Sequence, residues 1–217
     1  MLVQAKICGL STEAALDAAI DGGARYVGLV FFPKSPRNVD LATAKRLADR
    51  ARGKAEIVAL VVDADDAQLT AIRDAVNPDH FQLHGKETPQ RVAEVGRLTD
   101  RPVIKAIGVS STADVVRADA YISVAQRILF DAKPPVAPEA LPGGNGLVFD
   151  WSLIAGVADR VPYMLSGGLT PDNVAGAIHQ TGATIVDVSS GVESAPGIKD
   201  PELIRRFLEA VKTAKHS

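Results

Sequence analysis

The chain has one cysteine, Cys8, in 217 residues. A single thiol excludes an internal disulfide framework and a cysteine-rich metal site. Excess charge of either sign is missing too: 24 Lys+Arg stand against 26 Asp+Glu, a formal net charge of −2, with no basic block or acidic tail. Nucleic acid and membrane surfaces are therefore poor partners. The longest apolar runs, such as residues 57–62, fall far short of the roughly 20 residues that a membrane span needs. Met1-Leu2-Val3-Gln4-Ala5-Lys6 reaches a strand-like run at once, without signal-peptide architecture. The expected location is the cytoplasm. No group of His, Cys and carboxylates has metal-ligand spacing, so no metal is required.

What the chain does have is alternation. Short apolar runs at residues 3–8, 26–32, 57–62, 80–85, 103–107, 127–131, 163–165 and 184–188 predict strands, several of them continuous enough to be buried on both faces. Between them lie helical patterns. The first starts at Ser11 or Thr12 and places Ala15, Leu16, Ala19 and Ile20 on one face; others cover 41–52, 65–76, 88–98, 114–118, 149–157, 172–179 and 201–211. With 47% hydrophobic residues the chain can bury a sizeable core. No domain linker interrupts it. Residues 132–146 are rich in Pro and Gly and predict a long loop. The expected fold is α/β: one (β/α)8 TIM barrel covering 1–217 as a single catalytic domain.

Such a barrel gathers the C-terminal ends of its strands at one mouth. Cys8, Phe32, His84, Lys105, Asp131, Ser166 and Ser189 are predicted there. The last two strands each run into a glycine-serine stretch, Leu165-Ser166-Gly167-Gly168-Leu169 and Val188-Ser189-Ser190-Gly191-Val192-Glu193. Backbone amides in such turns converge on anions, and the loops after strands 7 and 8 are where this fold holds phosphate.

Individual candidates carry alternatives. Cys8 is either a small buried hydrophobe or a base, and a free thiol needs only a modest downward shift from about 8.5 to serve near neutrality. Asp131 closes an apolar strand, where an unpaired charge is costly unless the strand opens onto a mouth. Arg37 could fork onto a carboxylate or stand exposed on its loop. His84 could be an acid or base, or be bonded into the wall. For Lys105 and Asp187 ion pairing inside the barrel is the default. Asp150-Trp151 reads as a cap with packing.

Taken together, Lys6-Ile7-Cys8-Gly9, residues 28–37, Gln82-Leu83-His84-Gly85, Leu129-Phe130-Asp131, Phe149-Asp150-Trp151 and both glycine-serine stretches resemble the phosphoribosylanthranilate isomerase family of tryptophan biosynthesis, in order and over essentially the whole chain. The resemblance implies an aldose-ketose isomerase that performs a cofactor-free Amadori rearrangement. It assigns Cys8 as general base and Asp131 as general acid. It also implies substrate binding by Arg37, at the anthranilate carboxylate, by His84, and by Gly167, Gly168, Ser190 and Gly191 at the phosphate. The implied partner is a small phosphosugar, and a monomer is the expected state. Asn145 stands where that family usually carries a hydroxyl residue between glycines, and the approach from Lys133 to Pro142 is long. A histidine-pathway Amadori isomerase would carry aspartate in place of Cys8 and repeat its half-barrel; this chain has no Ser-Gly-Gly-Leu counterpart in its N-terminal half. A non-catalytic phosphosugar-binding barrel is opposed by the presence of both Cys8 and Asp131.

Overall fold

The apolar runs become eight parallel strands closed into a barrel in sequence order: β1 Gln4–Cys8, β2 Tyr26–Phe31, β3 Glu56–Val61, β4 His80–Leu83, β5 Val103–Val109, β6 Arg127–Ala132, β7 Tyr163–Leu165 and β8 Ile185–Val188. The computed structural model describes residues 2–133, 143–144, 146–157 and 160–214. Side chains alternate along each strand. One parity fills the lumen, with Tyr26, Val58, Ile104, Leu129, Met164 and Ile185 in one layer and Cys8, Val30 and Leu60 clustered apart from it. The other parity, including Ile7, Val27, Ile57, Phe81 and Phe130, packs against the helices. Both faces are thus dry, which is why the strands read as nearly unbroken apolar runs.

The helices are α1 Glu13–Asp21, α2 Leu41–Ala51, α3 Asp66–Val76, α4 Pro89–Thr99, α5 Thr112–Val116, α6 Val174–Thr181 and α7 Pro201–Thr213. Thr12, Asp40, Asp65, Thr88 and Asp200 cap five of them, each side chain accepting an N–H from the first turn. A cap of this kind is worth about 1 kcal/mol, so the starts were visible in the sequence. Between β6 and β7 the helix expected over 149–157 is only a 3-10 turn, Trp151–Ile154. Asp150 accepts the Ser152 N–H at 2.9 Å, as a cap should, but Gly156 at φ +78° turns the chain away after one turn. Thr112–Val116 likewise passes into a 3-10 turn over Arg117–Tyr121. Beyond β8 lies a small antiparallel hairpin that the alternation gave no sign of, β9 Glu193–Ala195 and β10 Ile198–Lys199. Most of the predicted 132–146 loop, including Asn145, lies outside the described residues. Among the described residues no helix is long and apolar enough to cross a membrane.

Candidate active site

A cleft of about 750 Å³, counting the space open to solvent, lies at the C-terminal ends of the strands. Cys8, Arg37, His84, Asp131, Gly167, Gly168, Ser190 and Gly191 all line it, as do Phe32, Ser166 and Ser189. Lys105 does not. Strand β5 continues to Val109, so Lys105 is mid-strand, and its parity is opposite to that of lumen-facing Ile104. It faces outward, where Nζ pairs with Glu87 at 2.8 Å and donates to the Gly85 carbonyl at 2.8 Å. The default of ion pairing was right for Lys105, and its place at the mouth was wrong.

Cys8 ends β1 facing inward, three steps around the ring from Asp131 on β6. Burial pushes the thiol up from its usual range, and the charge of Lys6 opposes this without overcoming it. The modest downward shift that a base near neutrality needs is thus not supplied by the protein alone, because a dry lumen penalises the thiolate more than one ammonium repays. Lys6 itself is fully buried. Burial works to lower it, but Asp187 and Cys8 outweigh burial and hold it above its ordinary value. Its Nζ lies 2.7 Å from Asp187 Oδ1, and Ser166 Oγ donates to Asp187 Oδ2 at 3.1 Å. Because Cys8 is the only thiol, a thiolate-absorbance titration with Cys8→Ala as blank reads it alone. The midpoint is expected above the free-thiol value of about 8.5, with neutral thiol dominant at pH 7; a midpoint below that value would contradict this balance of burial and charge.

Asp131 uses Oδ1 to accept the Ala132 N–H at 2.8 Å. Its Oδ2 lies 3.3 Å from His84 Nε2, and His84 Nδ1 lies 3.1 Å from Gln82 Nε2. His84 is therefore neither isolated nor simply part of the wall. Arg37 is buried rather than exposed on its loop. Its fork is already occupied: Nε and Nη2 bond Glu193 Oε1 and Oε2 at 2.7 and 2.9 Å, and Nη2 also reaches the Gly144 carbonyl at 3.2 Å. Burial would raise the Glu193 carboxyl, but Arg37 and Lys199 outweigh it and hold it below its usual range. Lys199, lowered chiefly by its own burial, bonds Glu193 at 2.6 Å and the Ser189 carbonyl at 2.9 Å. Ser189 Oγ in turn donates to the Cys8 carbonyl at 3.2 Å. The hairpin thus ties the arginine to the strand that carries the thiol.

The two glycine-serine loops meet across the cleft. A side chain at Gly168, which has φ +63°, would meet the Leu147 carbonyl oxygen at 2.7 Å, and one at Gly191 would overlap the Leu169 carbonyl oxygen at 1.8 Å. Only glycine permits this approach. None of the amide groups of Gly167, Gly168, Ser190 and Gly191 meets an acceptor among the described residues. No group of His, Cys, Asp and Glu among the described residues could hold a metal ion.

A family model described as N-(5'phosphoribosyl)anthranilate (PRA) isomerase matches residues 5–210. The chain belongs to that family. It is 54% identical over 215 residues to the N-(5'-phosphoribosyl)anthranilate isomerase of Rhodopseudomonas palustris (strain BisA53), covering 99% of this chain and 98% of the relative. It is 52% identical over 215 residues to the enzyme of Rhizobium meliloti (strain 1021). The phosphoribosyl anthranilate isomerase of Thermotoga maritima superposes with a TM-score of 0.87 at 35% identity, over 97% of this chain and 99% of that one. Another solved phosphoribosyl anthranilate isomerase, with a TM-score of 0.85 at 34% identity over 97% and 99% of the two chains, is in complex with reduced 1-(o-carboxyphenylamino)-1-deoxyribulose 5-phosphate. In this isomerase-family chain the polar residues singled out too weakly by the sequence are Gln82, Glu193 and Lys199. Parity would have flagged Gln82, which shares the inward face of β4 with His84; no local pattern marks the hairpin pair.

Proposed function

We propose that Asp131 and Cys8 are the acid and base of the isomerisation for which the family is named. The substrate is N-(5-phosphoribosyl)anthranilate and the product 1-(2-carboxyphenylamino)-1-deoxyribulose 5-phosphate. Asp131 gives its proton to the furanose ring oxygen while the anilino nitrogen lone pair expels that oxygen, leaving an open-chain iminium. Cys8 then takes the C2 proton, the C–H electrons form the C1–C2 double bond, and nitrogen recovers its lone pair. The resulting enolamine tautomerises to the ketone. Geometry supports one acid and one base on different sides of the mouth. The iminium's positive charge favours thiolate at the moment when the base is needed, offsetting the burial that keeps Cys8 neutral at rest. Lys6 works in the same direction.

The observation that carries this reading is the single cleft in which Cys8, Asp131 and two facing glycine loops converge. The amides of Gly167, Gly168, Ser190 and Gly191, unpaired among the described residues, suit the substrate phosphate. Arg37 gives Nε and Nη2 to Glu193, which leaves Nη1 to meet the anthranilate carboxylate, and His84 suits the ribose side. The reading takes 1–217 as one catalytic domain acting as a monomer in the cytoplasm, with no call for a metal or cofactor. The test is to generate the substrate in situ and follow its anthranilate fluorescence. Added protein should abolish the signal at the same rate with and without a chelator; folded protein that leaves the signal unchanged overturns the reading. At the phosphate end, Gly168→Ala is expected to raise KM roughly 10-fold or more with a smaller change in kcat, since charge-assisted bonds of about 1.5–3 kcal/mol are displaced. An unchanged KM would move the phosphate elsewhere.

A further inference from the structure

Strand β4 and the residue that follows it turn three polar side chains inward, His80, Gln82 and His84. Gln82 is the one without an evident task. It is fully buried in the lumen, lines the cleft, and its Oε1 meets no partner among the described residues. An apolar side chain of similar size would fill that place without stranding an amide oxygen. What the amide does provide is an N–H group aimed at His84 Nδ1, 3.1 Å away.

We propose that Gln82 is a positioning residue that fixes His84 in the Nε2-protonated tautomer, so that His84 supports Asp131 as that acid gives up its proton. The inference rests on Asp131 being the acid. An amide nitrogen can only donate, so the Nδ1 it faces must accept, and the neutral ring then carries its proton on Nε2. That nitrogen is 3.3 Å from Asp131 Oδ2. Oδ1 is occupied by the Ala132 N–H, so Oδ2 is the oxygen that holds the acidic proton and faces the cleft. Its second lone pair is open to the Nε2–H. As the O–H proton passes to the ring oxygen of the substrate, negative charge collects on Oδ2 and draws the neighbouring His84 Nε2–H, 3.3 Å away, into a hydrogen bond. Stabilisation that grows along the reaction coordinate accelerates it. The opposite tautomer would point a lone pair at Oδ2 and draw the acid's proton toward the imidazole, in competition with the substrate. Gly143 passes close by: a side chain there would come within 2.6 Å of His84 Nε2 and 2.7 Å of Asp131 Oδ2, so a residue larger than glycine would press on the pair.

The test reads the tautomer directly, from nitrogen-15 NMR of the imidazole side chains, with the His84 signals assigned by their loss in His84→Asn. The wild-type ring should be protonated on Nε2. Gln82→Glu puts an acceptor at Nδ1 and should move the proton there. Gln82→Met keeps the lumen filled but removes the donor, and should leave a mixture. Both variants should lose roughly 10–100-fold in kcat with little change in KM, the range for losing a hydrogen bond to a charged group. A wild-type ring protonated on Nδ1 overturns the proposal, as does a Gln82→Met protein with unchanged tautomer and kcat. Should Asp131→Asn retain full activity, the acid assignment fails instead, and the spectra still decide the Gln82–His84 pair.

Discussion

Cys8→Ala is expected to lower kcat by roughly 10²–10⁴-fold, the usual weight of a positioned general base, while KM moves little. As the proposed base, the thiol would meet the C2 proton and serve no binding contact, so its loss should fall on the chemical step. Asp131→Asn should cost a similar factor for a different reason: an amide fills the same space and can still accept the Ala132 N–H at Oδ1, but has no acidic proton to give. Neither variant should unfold the protein. Cys8 is a small side chain at a strand end, and its truncation costs about 1 kcal/mol of packing. The double variant is expected to be no worse than the poorer single one, because each residue serves a step without which the other has nothing to act on. Steady-state kinetics on the three proteins decides this. A Cys8→Ala enzyme with near wild-type kcat would remove the thiol from the mechanism, and strictly multiplicative losses would mean that acid and base do not serve one sequence of steps.

The barrel was legible because every strand is buried on both faces and most helices start at a capping side chain. Those are local signals, carried by a few adjacent residues such as Thr88 before Pro89–Thr99. The strand-end rule then found Cys8, His84 and Asp131, since a barrel converts position along a strand directly into position in the site. It failed for Lys105, where the strand ran two residues longer than its apolar core and the parity was not applied. Arg37 was harder. Its burial depends on Glu193 and Lys199, about 160 residues away in the chain, in a hairpin of five strand residues too short to carry a periodic pattern. The charge balance around Cys8 was out of reach for the same reason. Its sign depends on how far burial outweighs Lys6, a comparison of two large opposing effects that only the folded geometry supplies.

Asp187→Ala is expected to destabilise the fold by about 3–5 kcal/mol, out of a total of about 5–15 kcal/mol for a typical domain. The register of β1 against β8 sets Lys6 directly beside Asp187. Removing the carboxylate leaves an ammonium with no solvent access, and Ser166 Oγ loses its acceptor as well. Denaturant unfolding should show the midpoint falling at nearly constant slope. A loss below about 1 kcal/mol would mean that Lys6 finds another partner or sheds its proton at little cost. Replacing both members, Lys6→Met with Asp187→Leu, should recover most of the stability, because well-packed apolar side chains often match or exceed a buried ion pair. Catalysis should not return with it. Lys6 is the largest favourable influence on the Cys8 thiolate, so the doubly apolar protein should titrate its thiol higher still and remain slow even when fully folded. Recovery of both stability and rate would make the pair purely structural. Recovery of stability alone would mean that the lumen bears the cost of a buried charge because the base at its rim depends on it.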